Sequence, residues 1–180
     1  MAPRIDYRAI AGEAVSALSR LQRYVDECGL EPLLLELVKL RASYINGCAY
    51  CVDMHTKDAR ALGETEQRLY AVPVWRETPF YSERERAALA WAEAVTLVGV
   101  DHVPDDVYDQ ASSQFSEKEL VDLTFAVIAI NSWNRLAVPF RAVPGSYQRA
   151  QQPVPVDEGA RAERVPRSAA AGTEHGLEER

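Results

Sequence analysis

Apolar residues in this chain recur at helical intervals from end to end of its first 150 positions, and that spacing constrains its fold more than any other feature. Ile10, Ala14, Ala17, Leu18, Leu21, Val25 and Cys28 form one stripe of a helix predicted from Asp6 to about Cys28. Leu34, Leu37, Val38, Arg41 and Ile45 mark the next, from Glu31 to about Tyr44, with Pro32 tolerated in the first turn. Asn46-Gly47 interrupts the pattern, since this pair favours a turn. A third helix is predicted from about Cys48 to Leu62 with Gly63 as its stop, and a short one from about Thr65 to Val72, ahead of Pro73. Trp75–Tyr81 reads as a loop. Ser82 with Glu85, and Ser116 with Glu119, have the spacing of capping boxes. They open helices predicted to reach about Val98 and Phe140, and Phe115 with Leu120 is placed as a hydrophobic staple on the second. Asp105–Phe115 is read as a further helix. No hairpin signal stands against these elements.

The expectation is therefore an all-α bundle of about seven helices within residues 1–150. Several helices are apolar on more than one face, as burial between subunits would require. Residues 151–180 contain no aromatic residue and no isoleucine, and carry Pro153, Pro155 and Pro166. Such a segment buries too little apolar surface to offset its ordering entropy, and is read as a disordered tail.

Composition narrows the function classes. Twenty basic residues against 27 acidic ones give a net charge of −7, which disfavours nucleic acid as a partner. The longest apolar runs, Ala87–Ala92 and Phe125–Ile130, are far shorter than the roughly 20 residues of a membrane-spanning helix. The first twenty residues mix charge through an amphipathic pattern rather than forming an apolar signal core. No membrane association and a cytoplasmic location are expected.

The chemistry concentrates in Asn46-Gly47-Cys48-Ala49-Tyr50-Cys51-Val52-Asp53-Met54-His55. Sulfurs three residues apart in a first helical turn share one side. The partial positive charge and free N–H groups of a helix N-terminus favour thiolate. His55 follows Cys51 by four residues, so its ring lies one turn on, within reach of the Cys51 proton directly or through one water. This supplies two thiols and a base on one face. Other readings fit less well. Haem attachment needs His directly after the second Cys, where Val52 stands. Structural zinc needs four ligands and this cluster offers three. A thioredoxin-like pair needs a strand before the helix. Two inert core cysteines remain an alternative. Cys28 reads as core, His102 as exposed, Trp75, Trp91 and Trp133 as core or interface, and Asp58 as a solvated charge that could orient His55 from one turn away.

Glu36 through His55, the following Thr56–Gly63, Trp75–Phe80, Ser82–Arg86 and Asn131–Arg135 together resemble the AhpD-like alkylhydroperoxidase branch of the carboxymuconolactone decarboxylase family, over roughly residues 4–145. The resemblance implies an AhpD-like helical fold in an obligate homotrimer or homohexamer, and a thiol-dependent hydroperoxide reductase. It implies Cys51 as the sulfur that attacks the peroxide, Cys48 as proton donor and resolving thiol, His55 as relay base, and Glu36 as its partner. Spacing alone does not select Glu36 over Asp58. No bound cofactor or metal is implied; the resulting disulfide would be reduced by an external dithiol of the dihydrolipoyl type, small or protein-borne. Two points depart from the family's common patterns. Tyr50 stands where the best-known peroxidases of the branch have a histidine, and the decarboxylases that named the family generally lack the cysteine pair. A non-peroxidatic enzyme of the same fold, or a redox-sensing oligomer, are the alternatives.

Overall fold

The computed structural model describes residues 2–149; the expected tail, 151–180, lies outside the described residues. The described residues hold nine α-helices and no strand: α1 (Tyr7–Ile10), α2 (Gly12–Glu27), α3 (Pro32–Ile45), α4 (Ala49–Ala61), α5 (Glu66–Ala71), α6 (Glu83–Thr96), α7 (Val98–Asp101), α8 (Asp105–Gln114) and α9 (Glu117–Phe140). A 3₁₀ helix, Val72–Glu77, follows α5. The all-α expectation holds. The count of seven was low, because a break sets off a short helix, α1 or α7, at one end of each of two predicted helices, and neither short helix buries a residue. The first breaks at Ala11 (φ −122°, ψ 47°), and the Asp6 carboxylate caps the resulting short α1 by accepting from the N–H groups of Arg8 and Ala9. The second breaks at Leu97. Trp75, expected in a loop, lies in the 3₁₀ turn.

Helix α3 is the axis of the bundle. Leu34 through Leu40 are buried without interruption, because α4, α6 and α9 pack around this helix. Both capping boxes form: Ser82 and Ser116 accept from the backbone N–H of Glu85 and Glu119, whose carboxylates reach back to the serine N–H groups. Each such cap contributes about 1 kcal/mol. Phe115 and Leu120 enter the same apolar cluster as Val25, Leu34 and Trp91, so the expected staple closes the start of α9.

The turn between α3 and α4 sets the site. Gly47 adopts φ +64°, the left-handed conformation that glycine takes without steric cost. The Gly47 N–H donates to Tyr44 O at 3.2 Å and the Cys48 N–H to Ser43 O at 2.9 Å. This 5→2 and 6→1 pair is a Schellman motif. It ends α3 and delivers Cys48 directly as the N-cap of α4. At the other end of the fold, Arg4 donates from its backbone N–H to Phe140 O at 2.9 Å and from Nη1 to Pro139 O at 3.1 Å. These bonds satisfy carbonyls at the end of α9 and draw α1 across it. Tyr7 stacks on Phe140 and Arg8 lies 5.5 Å from the centre of the Trp133 ring. No helix among the described residues is long and apolar enough to cross a membrane.

Candidate functional site

Helix α3 contributes Glu36 and Lys39, one turn apart on one face. Helix α4 contributes Cys48 at its N-cap, Cys51 in its first turn and His55 one turn further on. All five are buried. His55 Nδ1 lies 2.8 Å from Glu36 Oε2, and Lys39 Nζ donates to Glu36 Oε1 at 3.1 Å and to Asp26 Oδ1 at 3.1 Å. Burial pushes the Glu36 pKa up, but the hydrogen bonds and charges of His55 and Lys39 outweigh it and hold the carboxyl below its usual range. Burial pulls the Lys39 ammonium down, and Glu36 and Asp26 more than reverse this. An ionised Glu36 has only acceptors to offer, which assigns the proton between the two groups to His55 Nδ1. In the neutral ring His55 Nε2 is then the acceptor nitrogen, and it is a buried polar atom with no hydrogen-bond partner. A base without a partner is what proton transfer to or from a transient ligand needs.

His55 lines a cavity of about 310 Å³ whose walls also include Glu36, Cys51, Asp58, Tyr7 and Trp133. Cys51, His55 and Glu36 are thus brought together as expected. Trp133, expected as core or interface, forms part of this wall instead, with its Nε1 donating to Gln22 Oε1 at 3.2 Å. No direct hydrogen bond joins His55 to Cys51, since Nε2 has no partner. Asp58 does not orient His55. It accepts from the Tyr147 hydroxyl at 2.9 and 3.1 Å, and burial raises its pKa. Glu36, His55 and Asp58 each bring one ligand atom within 4.8 Å of the others, but Lys39, the Glu36–His55 pairing and Tyr147 already engage these groups.

The cysteines are free thiols and interact with one another. The Cys48 pKa is pulled down to about 7, first by the hydrogen bond from Cys51, against the opposing effect of burial; the N–H groups of Cys51 and Tyr50 and the Asn134 amide add to the drop. The backbone groups act without reaching the geometry of a formed capping bond. The Cys51 thiol is pushed up, because ionising it would sacrifice that hydrogen bond and place a second charge beside Cys48 in a buried site. The pair therefore titrates as a unit that gives up one proton easily and the second with difficulty. Within the pair, the hydrogen bond from Cys51 favours the charge on the N-cap sulfur.

Three contributors escaped the sequence reading. Lys39 and Ser43 had no distinguishing pattern. Asn134 lies 91 positions from Ser43, to whose Oγ it donates at 3.3 Å; both side chains favour the Cys51 thiolate. Only the resemblance around Asn131–Arg135 pointed toward Asn134. Two further residues lie where expected. Cys28 packs half-buried against the main core, and His102 is exposed.

The sequence profile of the carboxymuconolactone decarboxylase family matches residues 11–94, which contain Glu36, Cys48, Cys51 and His55. The uncharacterised protein YdfG of Bacillus subtilis is 41% identical over 138 residues, which is 77% of this chain and 94% of that protein. A crystallised protein of unknown function from Agrobacterium tumefaciens, described as a candidate antioxidant defence protein AhpD, superposes with a TM-score of 0.77 at 47% identity, covering 79% of this chain and 97% of that one. The debrominase Bmp8 superposes with a TM-score of 0.69 at 20% identity over 77% of this chain and 74% of its own, a likeness of fold alone.

Proposed function

We propose that this chain, which belongs to the carboxymuconolactone decarboxylase family, is a thiol-dependent hydroperoxide reductase of antioxidant type that needs no bound cofactor and draws its electrons from an external dithiol. The observation that carries this reading is that His55 and Cys51 line one cavity, with His55 Nε2 buried and without a partner and Nδ1 held by ionised Glu36. Access decides which sulfur attacks: Cys51 lines this cavity and Cys48 does not.

A hydroperoxide in the cavity displaces water and bridges His55 to Cys51. The single proton of the pair shifts from Cys51 onto Cys48, so that Cys51 carries the charge. Cys51 Sγ attacks the terminal peroxide oxygen, the O–O bond breaks, and the departing alkoxide takes the proton that Cys48 gives up through His55 Nε2, Glu36 stabilising the imidazolium that forms on the way. The net step is thiol plus hydroperoxide to sulfenic acid plus alcohol. Cys48, held as thiolate near neutral pH, attacks Cys51 Sγ; the S–S bond forms and the hydroxyl leaves as water with one proton. Capture by a sulfur already in contact keeps the sulfenic acid from further oxidation. Tyr50 occupies the position of the family's common extra histidine, so His55 carries the relay alone.

The test combines turnover with thiol counting. With cumene hydroperoxide and dihydrolipoamide, the protein consumes peroxide, and without the dithiol one equivalent of peroxide removes two of its three thiols. Cys51→Ser abolishes both; turnover equal to that of the parent protein sinks the proposal. Assembly into a homo-oligomer belongs to the same proposal. It is supported by the outward stripe of Val121, Phe125 and Ile128 on α9, each at least 39% exposed, and is read by solution mass.

A further inference from the structure

The two sulfurs open onto different cavities. Cys51 lines the one shared with His55 and Glu36. Cys48 lines a second, of about 500 Å³, bounded by the start of α4 and the end of α9 through Tyr50, Ala137, Val138, Arg141 and Ala142. Only Tyr50 and Ala137 belong to both linings, and so form the partition between them. The second cavity contains neither His55 nor any carboxylate. It therefore lacks the base that peroxide cleavage needs, but it presents sulfur, apolar wall and a cation. Arg141 forms no ion pair among the described residues, and its backbone sits at φ 55° in the left-handed position that closes α9, where glycine is the ordinary occupant.

We infer that this second cavity is the reductant's binding site: a small dithiol bearing an anionic arm enters from the Cys48 side, opposite to the peroxide, and attacks Cys48 Sγ while Arg141 holds its carboxylate. The inference rests on the disulfide proposed above and assigns that disulfide a polarity. A reductant thiolate bonds to Cys48 Sγ, the Cys48–Cys51 bond breaks, and the electron pair leaves on Cys51, where Asn134 and Ser43 favour the thiolate. The second reductant thiol, giving up its proton, then attacks its own sulfur in the mixed disulfide. It closes a cyclic disulfide and releases Cys48, the better leaving group of the two thiols. Two electrons and two protons move from the dithiol to the cysteine pair. Separate access lets product alcohol remain at His55 while reduction begins.

The experiment measures the two half-reactions apart. The disulfide is formed chemically with diamide, so reduction is read whether or not the protein turns over peroxide. Dihydrolipoate and its neutral amide, dihydrolipoamide, are mixed with the oxidised parent protein and with Arg141→Gly and Ala142→Trp. Arg141→Gly relieves the left-handed strain, so a purely structural arginine predicts a higher melting temperature and unchanged reduction. The inference predicts the higher melting temperature together with an apparent affinity for dihydrolipoate about fivefold weaker, the size of one partly exposed ion pair, and no change for the amide. Ala142→Trp, which fills the cavity, slows reduction by both dithiols and leaves the rate of thiol loss to cumene hydroperoxide unaltered. Equal effects of Arg141→Gly on the two dithiols, or an Ala142→Trp protein reduced as fast as the parent, overturn the inference. Peroxide-inert thiols with these reduction results intact would instead overturn the proposed function.

Discussion

Glu36 and Glu93 are both buried glutamates, 7% and 9% exposed, each on a long helix and each among cations, yet they do different work. Glu93 Oε1 accepts from Arg41 Nε at 2.7 Å and Trp75 Nε1 at 2.7 Å, and Oε2 accepts from Arg76. Arg76 and Arg86 also stack on the Trp75 ring. Every group in that cluster is engaged, and its product is rigidity: it pins the 3₁₀ turn to α6. Glu36 is equally paired, to Lys39 and His55, but its pairing ends in a ring nitrogen with nothing to bond. Unused hydrogen-bonding capacity at the edge of a cavity, rather than the number of buried charges, separates a reactive cluster from an anchoring one. Helix α3 serves both, since Glu36 and Arg41 are five residues and therefore about 140° apart around its axis.

The contrast predicts opposite phenotypes from one substitution. Glu36→Gln loses the stabilisation of the imidazolium, and turnover falls by about 10²–10³ while the melting temperature moves little, because Asp26 still neutralises Lys39. Glu93→Gln leaves Arg41 as a buried cation short of its partner and costs about 3 kcal/mol, with activity per folded molecule retained. Urea melts and turnover of both variants check this. A Glu36→Gln protein that loses as much stability as Glu93→Gln and keeps its turnover would erase the distinction.

Lys39 sharpens the comparison at intermediate size. It lines the same cavity, but its ammonium is engaged by Glu36 and Asp26, so it acts through Glu36 as a positioning residue. Removing its charge in Lys39→Met takes away one of the influences that hold Glu36 below the ordinary carboxyl range, so the Glu36 pKa rises. The active form needs ionised Glu36, and the acid limb of the kcat/KM profile therefore moves to higher pH. Lys39→Arg restores it. A merely structural lysine would lower stability without moving the limb. The thiol pair supplies a second pH signature. Alkylation by iodoacetamide requires thiolate, so its rate falls tenfold per pH unit below about 7 and levels above it, where an ordinary cysteine inflects near 8.5. Cys51→Ala removes the hydrogen-bond donor and returns the inflection of Cys48 upward.

What the sequence made legible follows the range of the interactions concerned. The capping boxes at Ser82 and Ser116, the Gly63 stop and the placing of Cys51 and His55 in one cavity depend on residues three or four apart, and each is seen in the structure. The breaks at Ala11 and Leu97 were invisible because apolar spacing does not report whether the backbone is continuous: Ile10 keeps the spacing of the α2 stripe yet is 76% exposed. Lys39, Ser43 and Asn134 act across helix–helix contacts, for which a single sequence carries no spacing rule. Glu36 was reachable only through the family resemblance; its separation of 19 positions from His55 corresponds to no local periodicity. The Glu93 cluster was missed for the same reason. None of the three groups that bond Glu93, namely Arg41, Trp75 and Arg76, shares a helix with it.

The smallest effect concerns the joint that carries the reactive glutamate's helix into the thiols' helix. Gly47 is there for its φ of +64°, and an added Cβ would meet nothing within 4 Å. Gly47→Ala therefore pays only the left-handed penalty, about 1 kcal/mol, visible as a shift of a few degrees in melting temperature. If the Schellman turn survives that strain, Cys48 stays at the N-cap, the alkylation inflection stays near 7 and turnover is unchanged. A shifted inflection would mean that the turn gives way before the strain is borne. The position of Cys48, and with it the reactive character of the α3–α4 face, would then depend on this one backbone conformation, whereas the Glu93 cluster, tied by four side chains, has no such single point of failure.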